Sequence, residues 1–143
     1  MQQEIEVQGL RLSPQQKRLW AWRQRRYSGQ ARAMLTFDGS FDDAAVQESL
    51  RQVMARHESL RTTFYRQPGM KVPFQVVGDE AALEWRTLDL RDLADDVERE
   101  RAADDASHGD DDLDCERGPL VRVVFCRWTE TQRRMFLDVP GLC

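Results

Sequence analysis

The stretch Arg56-His57-Glu58-Ser59-Leu60-Arg61-Thr62-Thr63-Phe64 is where a helical pattern gives way to a strand pattern. Upstream, Val46, Leu50, Val53, His57 and Leu60 recur at steps of four, three, four and three, which places them on one face of an α-helix. Downstream, Thr62-Thr63-Phe64-Tyr65 is β-branched and aromatic and suits a strand. Two arginines, a histidine and a glutamate crowd the junction. Arg56 and Arg61 suit the negative end of the helix dipole. His57, on the apolar face, is expected to be a packed structural histidine.

Outward on the N-terminal side, Ser40 or Asp42 caps this helix, which is expected to run to about Glu58. Before it, Ala31, Ala33, Leu35 and Phe37 alternate with Arg32, Met34, Thr36 and Asp38, the pattern of a half-buried strand. Ser13-Pro14-Gln15-Gln16 is a helix start: Ser13 suits the N-cap, Pro14 the first helical position, and Gln16 closes a capping box. That helix is expected to reach about Arg26, with Leu19, Trp22 and Arg26 near one face. Arg23, Arg25 and Arg26 suit its C-terminal dipole; the sharper reading is a docking patch for an acidic partner. Gly9 to Leu12 suits a short strand, and residues 1–9 read as a mobile start.

On the C-terminal side, Thr62 to about Arg66 and Val72 to Val77 read as a hairpin around Gln67-Pro68-Gly69. Trp85 to Leu90 is a further strand, and a weakly amphipathic helix runs from about Leu93 to Ser107. Residues 104–116 hold Asp104, Asp105, Asp110, Asp111, Asp112, Asp114 and Glu116, read as a solvated loop; the spacing does not fit an EF-hand. Leu120 to Trp128 is apolar and β-branched and reads as a central strand, followed by Arg133 to Val139 after a short polar turn. The expected class is α+β: a two-layer sandwich with helices on one face of a mixed sheet.

Composition narrows the function. The chain has 143 residues, enough for one domain with a core, spanning residues 10–143. A net charge of −4 argues against a nucleic-acid partner, because phosphate binding needs a basic face. No apolar run is long enough to span a membrane, no secretory signal opens the chain, and three cysteines without metal spacing fit a reduced, cytoplasmic setting. The histidines are His57 and His108, the latter in the acidic loop; no nucleophile–base signature surrounds Ser13, Ser59, Cys115, Cys126 or Cys143. Cys126, in an apolar strand, is expected to behave as a small hydrophobe.

The junction stretch resembles the "RHExLRTxF" signature of condensation domains of nonribosomal peptide synthetases, matching at Arg56, His57, Glu58, Leu60, Arg61, Thr62 and Phe64. Leu12-Ser13-Pro14-Gln15-Gln16-Lys17-Arg18-Leu19-Trp20 resembles the family's "SxAQxRLW" signature. Leu113-Asp114 with Gly118-Pro119-Leu120-Val121-Arg122 resembles its "fDl…gPLlR" stretch. The resemblance covers nearly the whole chain but only the first half of a two-lobed domain, and implies the N-terminal lobe of a chloramphenicol-acetyltransferase-like fold. It implies no bound cofactor, substrates carried on phosphopantetheine, and two partners: a peptidyl or aminoacyl carrier protein and the second lobe. The family's catalytic "HHxxxDG" falls after the last strand, where Pro140 and Gly141 take the two histidine places. No histidine follows His108. The "DxxxxD" variant fails as well, because Asp138 supplies its first aspartate but Cys143 holds the last place.

Three readings stay open: a catalytically degenerate lobe with a structural or intermediate-presenting role, half of an acyl-transfer enzyme, and a free-standing α+β interaction module. Ser13, Gln16, Arg18, Trp20, Val139 and Leu142 are candidates for a tunnel wall or lobe interface. Val139 and Leu142 are expected to expose apolar surface, favouring self-association, and Cys143 to be an exposed thiol open to disulfide formation. In the family an arginine of the junction motif pairs with the "HHxxxDG" aspartate. Arg61, without that partner, is expected to serve the architecture and to be nearly neutral to replacement by methionine if it reaches water.

Overall fold

The computed structural model describes residues 9–25, 29–107 and 113–143. Residues 1–8, Arg26, His108 and Asp110 to Asp112, on which some of the sequence expectations fall, lie outside them. In chain order the elements are β1 (Leu10–Arg11), α1 (Pro14–Arg23), β2 (Gln30–Asp38), α2 (Asp43–Arg56), a single 3-10 turn (Glu58–Arg61), β3 (Thr62–Tyr65), β4 (Phe74–Val77), β5 (Leu83–Asp89), α3 (Asp96–Ser107), β6 (Val121–Arg127) and β7 (Gln132–Pro140).

The strands form two sheets. β1, β4 and β3 make a small antiparallel one, and β2, β7, β6 and β5 make the larger one in that order. β5 runs parallel to β6, with α3 in the crossover between them, while β6–β7 is a hairpin and β2 pairs antiparallel to β7. The sheet is therefore mixed and the class α+β, as the element pattern predicts. The layering is finer than one helical layer on one face. Val121, Val123 and Phe125 of β6 and Met135 of β7 pack with Met54, Val46 and Leu50 of α2. Val124 and Cys126 of β6 and the following Trp128 pack with Ala103 of α3 and with Leu90. A strand's side chains alternate sides, so α2 and α3 cover opposite faces. β6 is buried on both, which explains its apolar run from Val123 to Cys126. Cys126 is one of these packed residues; burial pushes its thiol up to about 11.

Two apolar faces differ from the sequence reading. On α2 the buried position is Met54, fully enclosed, while Val53 is 43% exposed. Steps of three and four fit both residues. The helix meets the sheet along Val46, Leu50 and Met54, a run of strict fours. On β2 the expected half-buried alternation is absent. The strand lies at the sheet edge, Met34 and Leu35 are both exposed, and among its apolar residues Phe37 reaches the core. Arg32 of β2 instead clamps Asp138 of β7 with two hydrogen bonds of 2.6 and 3.0 Å and also donates to the Ser107 carbonyl at the end of α3.

Ion pairs tie the far end of the larger sheet to α2. Asp43, in the first turn of α2, accepts from Arg127 at 2.6 Å and from Arg133 at 3.2 Å. Burial alone would raise its carboxyl pKa; the two arginines outweigh that and hold it below the ordinary carboxylate value. Arg91 binds Asp89 at 2.6 Å and Glu130 at 3.0 Å, extending the network. The Arg91 hydrogen bond is the main reason Asp89 is held down at about 2.

The face assignment on α2 is testable by denaturation. Met54→Ala removes a fully enclosed side chain and is expected to cost about 2–5 kcal/mol of unfolding free energy. Val53→Ala is expected to stay within roughly 0.5 kcal/mol. Equal losses in urea titrations would mean that the helix is rotated from the orientation described.

Candidate functional site

Helix α1 starts as its sequence dictates. Ser13 Oγ accepts from the Gln16 backbone N–H at 3.2 Å and Gln16 Oε1 accepts from the Ser13 N–H at 2.9 Å, closing the capping box. The same Gln16 side chain reaches across the chain. Its Nε2 donates to the Leu142 carbonyl at 3.0 Å and to Gln75 Oε1 at 3.0 Å, and Gln75 in turn donates to the Arg11 carbonyl at 3.1 Å. One amide thus joins α1, the small sheet and the segment after β7.

The core beneath that amide is made by Leu12, Trp20, Phe64, Cys115 and Leu142. Trp20 stacks on Phe64 with ring centroids 6.4 Å apart, and the Phe64 N–H donates to the Cys115 carbonyl at 2.8 Å. Trp20, not Trp22, is the buried tryptophan of α1; Trp22 is 59% exposed. The helix presents Gln16, Leu19, Trp20 and Arg23 inward, and Arg23 donates to the Leu113 carbonyl. The contribution of Cys115 and Gln75 has no local signal in the sequence, because their partners are far away along the chain. Leu142 is only 4% exposed, and Val139 packs on the α2 side of the sheet. The open apolar wall expected from these two residues is therefore closed by Leu12, Trp20 and Phe64 on one side and by α2 on the other.

The junction residues separate into buried and solvated groups. His57 is exposed and lies outside α2, because the helix ends at Arg56. Its backbone is extended (φ −111°, ψ 102°), and its N–H closes the helix on the Val53 and Met54 carbonyls. It is a C-cap, not a packed core histidine: the helical period that placed it on the apolar face has already stopped. Arg56 and Glu58 are exposed. Leu60 packs toward α2, Thr62 is buried with its hydroxyl donating to the Glu58 carbonyl at 2.6 Å, and Phe64 is in the core described above. Arg61 does not reach water freely. Its side chain is 18% exposed, it donates to the Gly78 carbonyl, its nearest carboxylate is Glu58 at 3.7 Å, and its Nε is buried without a partner among the described residues.

Pro140 and Gly141 sit where β7 ends. Pro140 is buried opposite Gln30 of β2. The Gly141 N–H donates to the Gly29 carbonyl, and a Cβ at Gly141 would stand 2.7 Å from that oxygen. The backbones approach so closely that this position has no room for a side chain. Beside it lies a cleft of about 340 Å³ lined by Ser13, Gln15, Gln16, Leu19, Gly141, Leu142 and Cys143. Its walls hold amides, one capping hydroxyl and one thiol. Cys143 is exposed as a residue, but desolvation of its sulfur, with Cys115 nearby, pushes the thiol up to about 11. Cys143 is therefore exposed as the sequence leads one to expect, with its thiolate form disfavoured by the desolvation. Arg18 lies on the exposed side of α1, away from this cleft. The sequence candidates Ser13, Gln16, Trp20 and Leu142 thus converge, while Arg18 and Val139 do not join them.

The chain is similar to known proteins. A family model described as Condensation domain matches residues 7–139. The chain is 38% identical over 136 residues to a chondramide synthase of Chondromyces crocatus, covering 91% of this chain and 3% of that protein. It is 40% identical over 109 residues to a linear gramicidin synthase of Brevibacillus parabrevis, covering 72% and 1%. Among solved structures, the starter condensation domain of the rhizomide synthetase superposes with a TM-score of 0.77 at 20% identity, covering 93% of this chain and 34% of that one. The epimerization domain from the third module of a tyrocidine synthetase gives 0.75 at 21%, covering 92% and 29%. The structural likenesses are likenesses of fold. The chain spans a few per cent of the curated relatives and about a third of the solved domains.

The Arg61 environment sets a measurable value. Arg61→Met loses a charge-assisted hydrogen bond to a backbone carbonyl but also removes a buried Nε without a partner, so a loss of about 1–2 kcal/mol is expected. This replaces the near-neutral outcome that free access to water would give. Glu58→Gln, at an exposed carboxylate, is expected to cost less than about 0.5 kcal/mol. Equal losses in the two variants would show the pair, and not the Gly78 contact, to be what holds Arg61.

Proposed function

This chain belongs to the condensation-domain family, and from that premise we propose that it is the N-terminal lobe of a nonribosomal peptide synthetase condensation domain that holds carrier-bound intermediates without itself forming the peptide bond. Its fold is that of one lobe of a chloramphenicol-acetyltransferase-like domain. The observation that carries the reading is the Gly29–Gly141 approach. At the place where the family motif puts its histidines, the chain has Pro140 and Gly141, and neither offers a group that accepts or donates a side-chain proton. Sterics support the same reading, since a β-carbon at Gly141 would collide with the Gly29 carbonyl.

The partner surface is the exposed side of α1. Arg18 and Trp22 stand four residues apart on α1, Arg25 follows just past its end, and all three are exposed. Arg23, which the sequence places in the same basic cluster, is turned inward onto Leu113 and takes no part. A large aromatic flanked by two cations suits an acidic helix with one apolar anchor, the surface a carrier protein is proposed to offer here. Presentation of a phosphopantetheine-linked intermediate then needs only docking and a cleft, not an acid or a base.

Two measurements test this. In a carrier-to-carrier condensation assay with loaded donor and acceptor, the chain is expected to give no product above the carrier-only background, and Gly141→His is expected to give none either while lowering stability by about 1–3 kcal/mol. Product formed by the unaltered chain would instead favour the half-enzyme reading. In a titration with an acidic carrier protein, Trp22→Glu is expected to weaken binding at least tenfold with the thermal midpoint unchanged. Undiminished binding would remove α1 as the docking face.

A further inference from the structure

Charge is distributed unevenly along this chain. Residues 9–25 carry Arg11, Lys17, Arg18, Arg23 and Arg25 and no carboxylate, and residues 66–77 carry Arg66 and Lys71 and no carboxylate, although the chain as a whole has a net charge of −4. Lys17 and Lys71 are its only lysines. The fold brings the two segments together. β1 pairs with β4, and between β1, the first turn of α1 and the loop entering β4 lies a groove of about 280 Å³ lined by Arg11, Leu12, Lys17, Met70, Val72, Pro73 and Phe74.

The groove has a firm apolar base, and the charged residues of its lining, Arg11 and Lys17, are both cationic. Leu12 and Pro73 are buried. Phe74 is held against β1 so closely that a Cβ on Gly9 would stand 2.7 Å from the Phe74 Cβ. Val72, 37% exposed, continues the apolar lining outward. Elsewhere in these two segments Arg66 is matched by Glu116 at 3.3 Å and Arg23 by the Leu113 carbonyl. Among the described residues, no carboxylate pairs with Arg11 or Lys17.

We infer that this groove binds an anionic amphiphile: an unbranched aliphatic chain of about six to eight carbons whose carboxylate or phosphate head rests between Arg11 and Lys17. At roughly 30 Å³ for a group the size of a water molecule, the volume holds about nine such groups. It falls just under the about 300 Å³ at which sites for drug-sized ligands begin, a scale that suits a short chain. Leu12, Met70, Val72, Pro73 and Phe74 supply the dry contact for the chain. The cations select the sign of the head. The site is separate from the cleft beside Gly141 and does not depend on what that cleft does.

The test is a methyl NMR titration of the full chain carrying labelled methionines, with octanoate, octyl phosphate, octan-1-ol and octylamine as probes. Octanoate or octyl phosphate is expected to shift the Met70 methyl saturably, with a dissociation constant of about 1 mM or tighter, while the Met34, Met54 and Met135 methyls stay in place. The tighter of the two anions identifies the head group. Octan-1-ol is expected to bind at least tenfold more weakly and octylamine not at all. Lys17→Glu, a change at an exposed position, is expected to weaken the anion at least tenfold with the other methyl resonances unmoved. An unmoved Met70, equal binding of the alcohol or the amine, or full binding by Lys17→Glu would each overturn the assignment.

Discussion

The fold rests on the burial of β6 from both sides. Val121, Val123 and Phe125 face α2, and Val124 and Cys126 face α3; all five are at most 3% exposed. A strand enclosed in this way needs both ladders of backbone hydrogen bonds filled, and parallel β5 and antiparallel β7 fill them. That requirement explains the mixed sheet: the β6–β7 hairpin is local, but β5 reaches its place only through the α3 crossover. The other elements then follow from the edges. β2 extends the sheet beyond β7 and remains exposed, held by the Arg32–Asp138 clamp and by Phe37 rather than by a buried face.

The second constraint is the meeting of segments that lie far apart in the chain. Trp20, Phe64, Cys115 and Leu142 form one small core, and Gln16 seals it by bonding to the Leu142 carbonyl 126 residues away. The backbone after β7 is thereby drawn against α1 on one side and against Gly29 on the other. The Gly29–Gly141 contact is the consequence for chemistry. A position that the family resemblance assigns to a catalytic side chain is filled by backbone, and the adjoining cleft offers amides and a protonated thiol.

Charge supplies the remaining organisation. Around the larger sheet, arginines are balanced: Asp43 serves Arg127 and Arg133, and Asp89 and Glu130 serve Arg91. Surface pairs of this kind contribute little singly, but Asp43 is mostly buried and shared by two arginines, so it fixes the start of α2 over the sheet. The small sheet and α1 are unbalanced and positive, in a chain that is negative overall. The exposed Trp22 and the groove beside Phe74 belong to these positive segments, where the local field favours anionic over cationic groups.

Features that depend on neighbours within a few residues are legible in the amino-acid order. The capping box at Ser13 and Gln16, the β3–β4 and β6–β7 hairpins, and the apolar run of β6 are set by local hydrogen bonds, turn residues and alternation, and they stand in the structure as the sequence implies. The family motifs are legible for the same reason, being short runs of fixed residues. Packing in three dimensions settles which of two equally spaced residues is buried, Met54 over Val53 and Trp20 over Trp22, because periods of three and four leave a rotation that only the opposing surface resolves. It makes His57 a helix cap instead of a core residue, since the helix stops where the chain must turn into β3. It also covers Leu142 and crowds Gly141, because both depend on contacts more than a hundred residues apart in the chain, which no local pattern encodes.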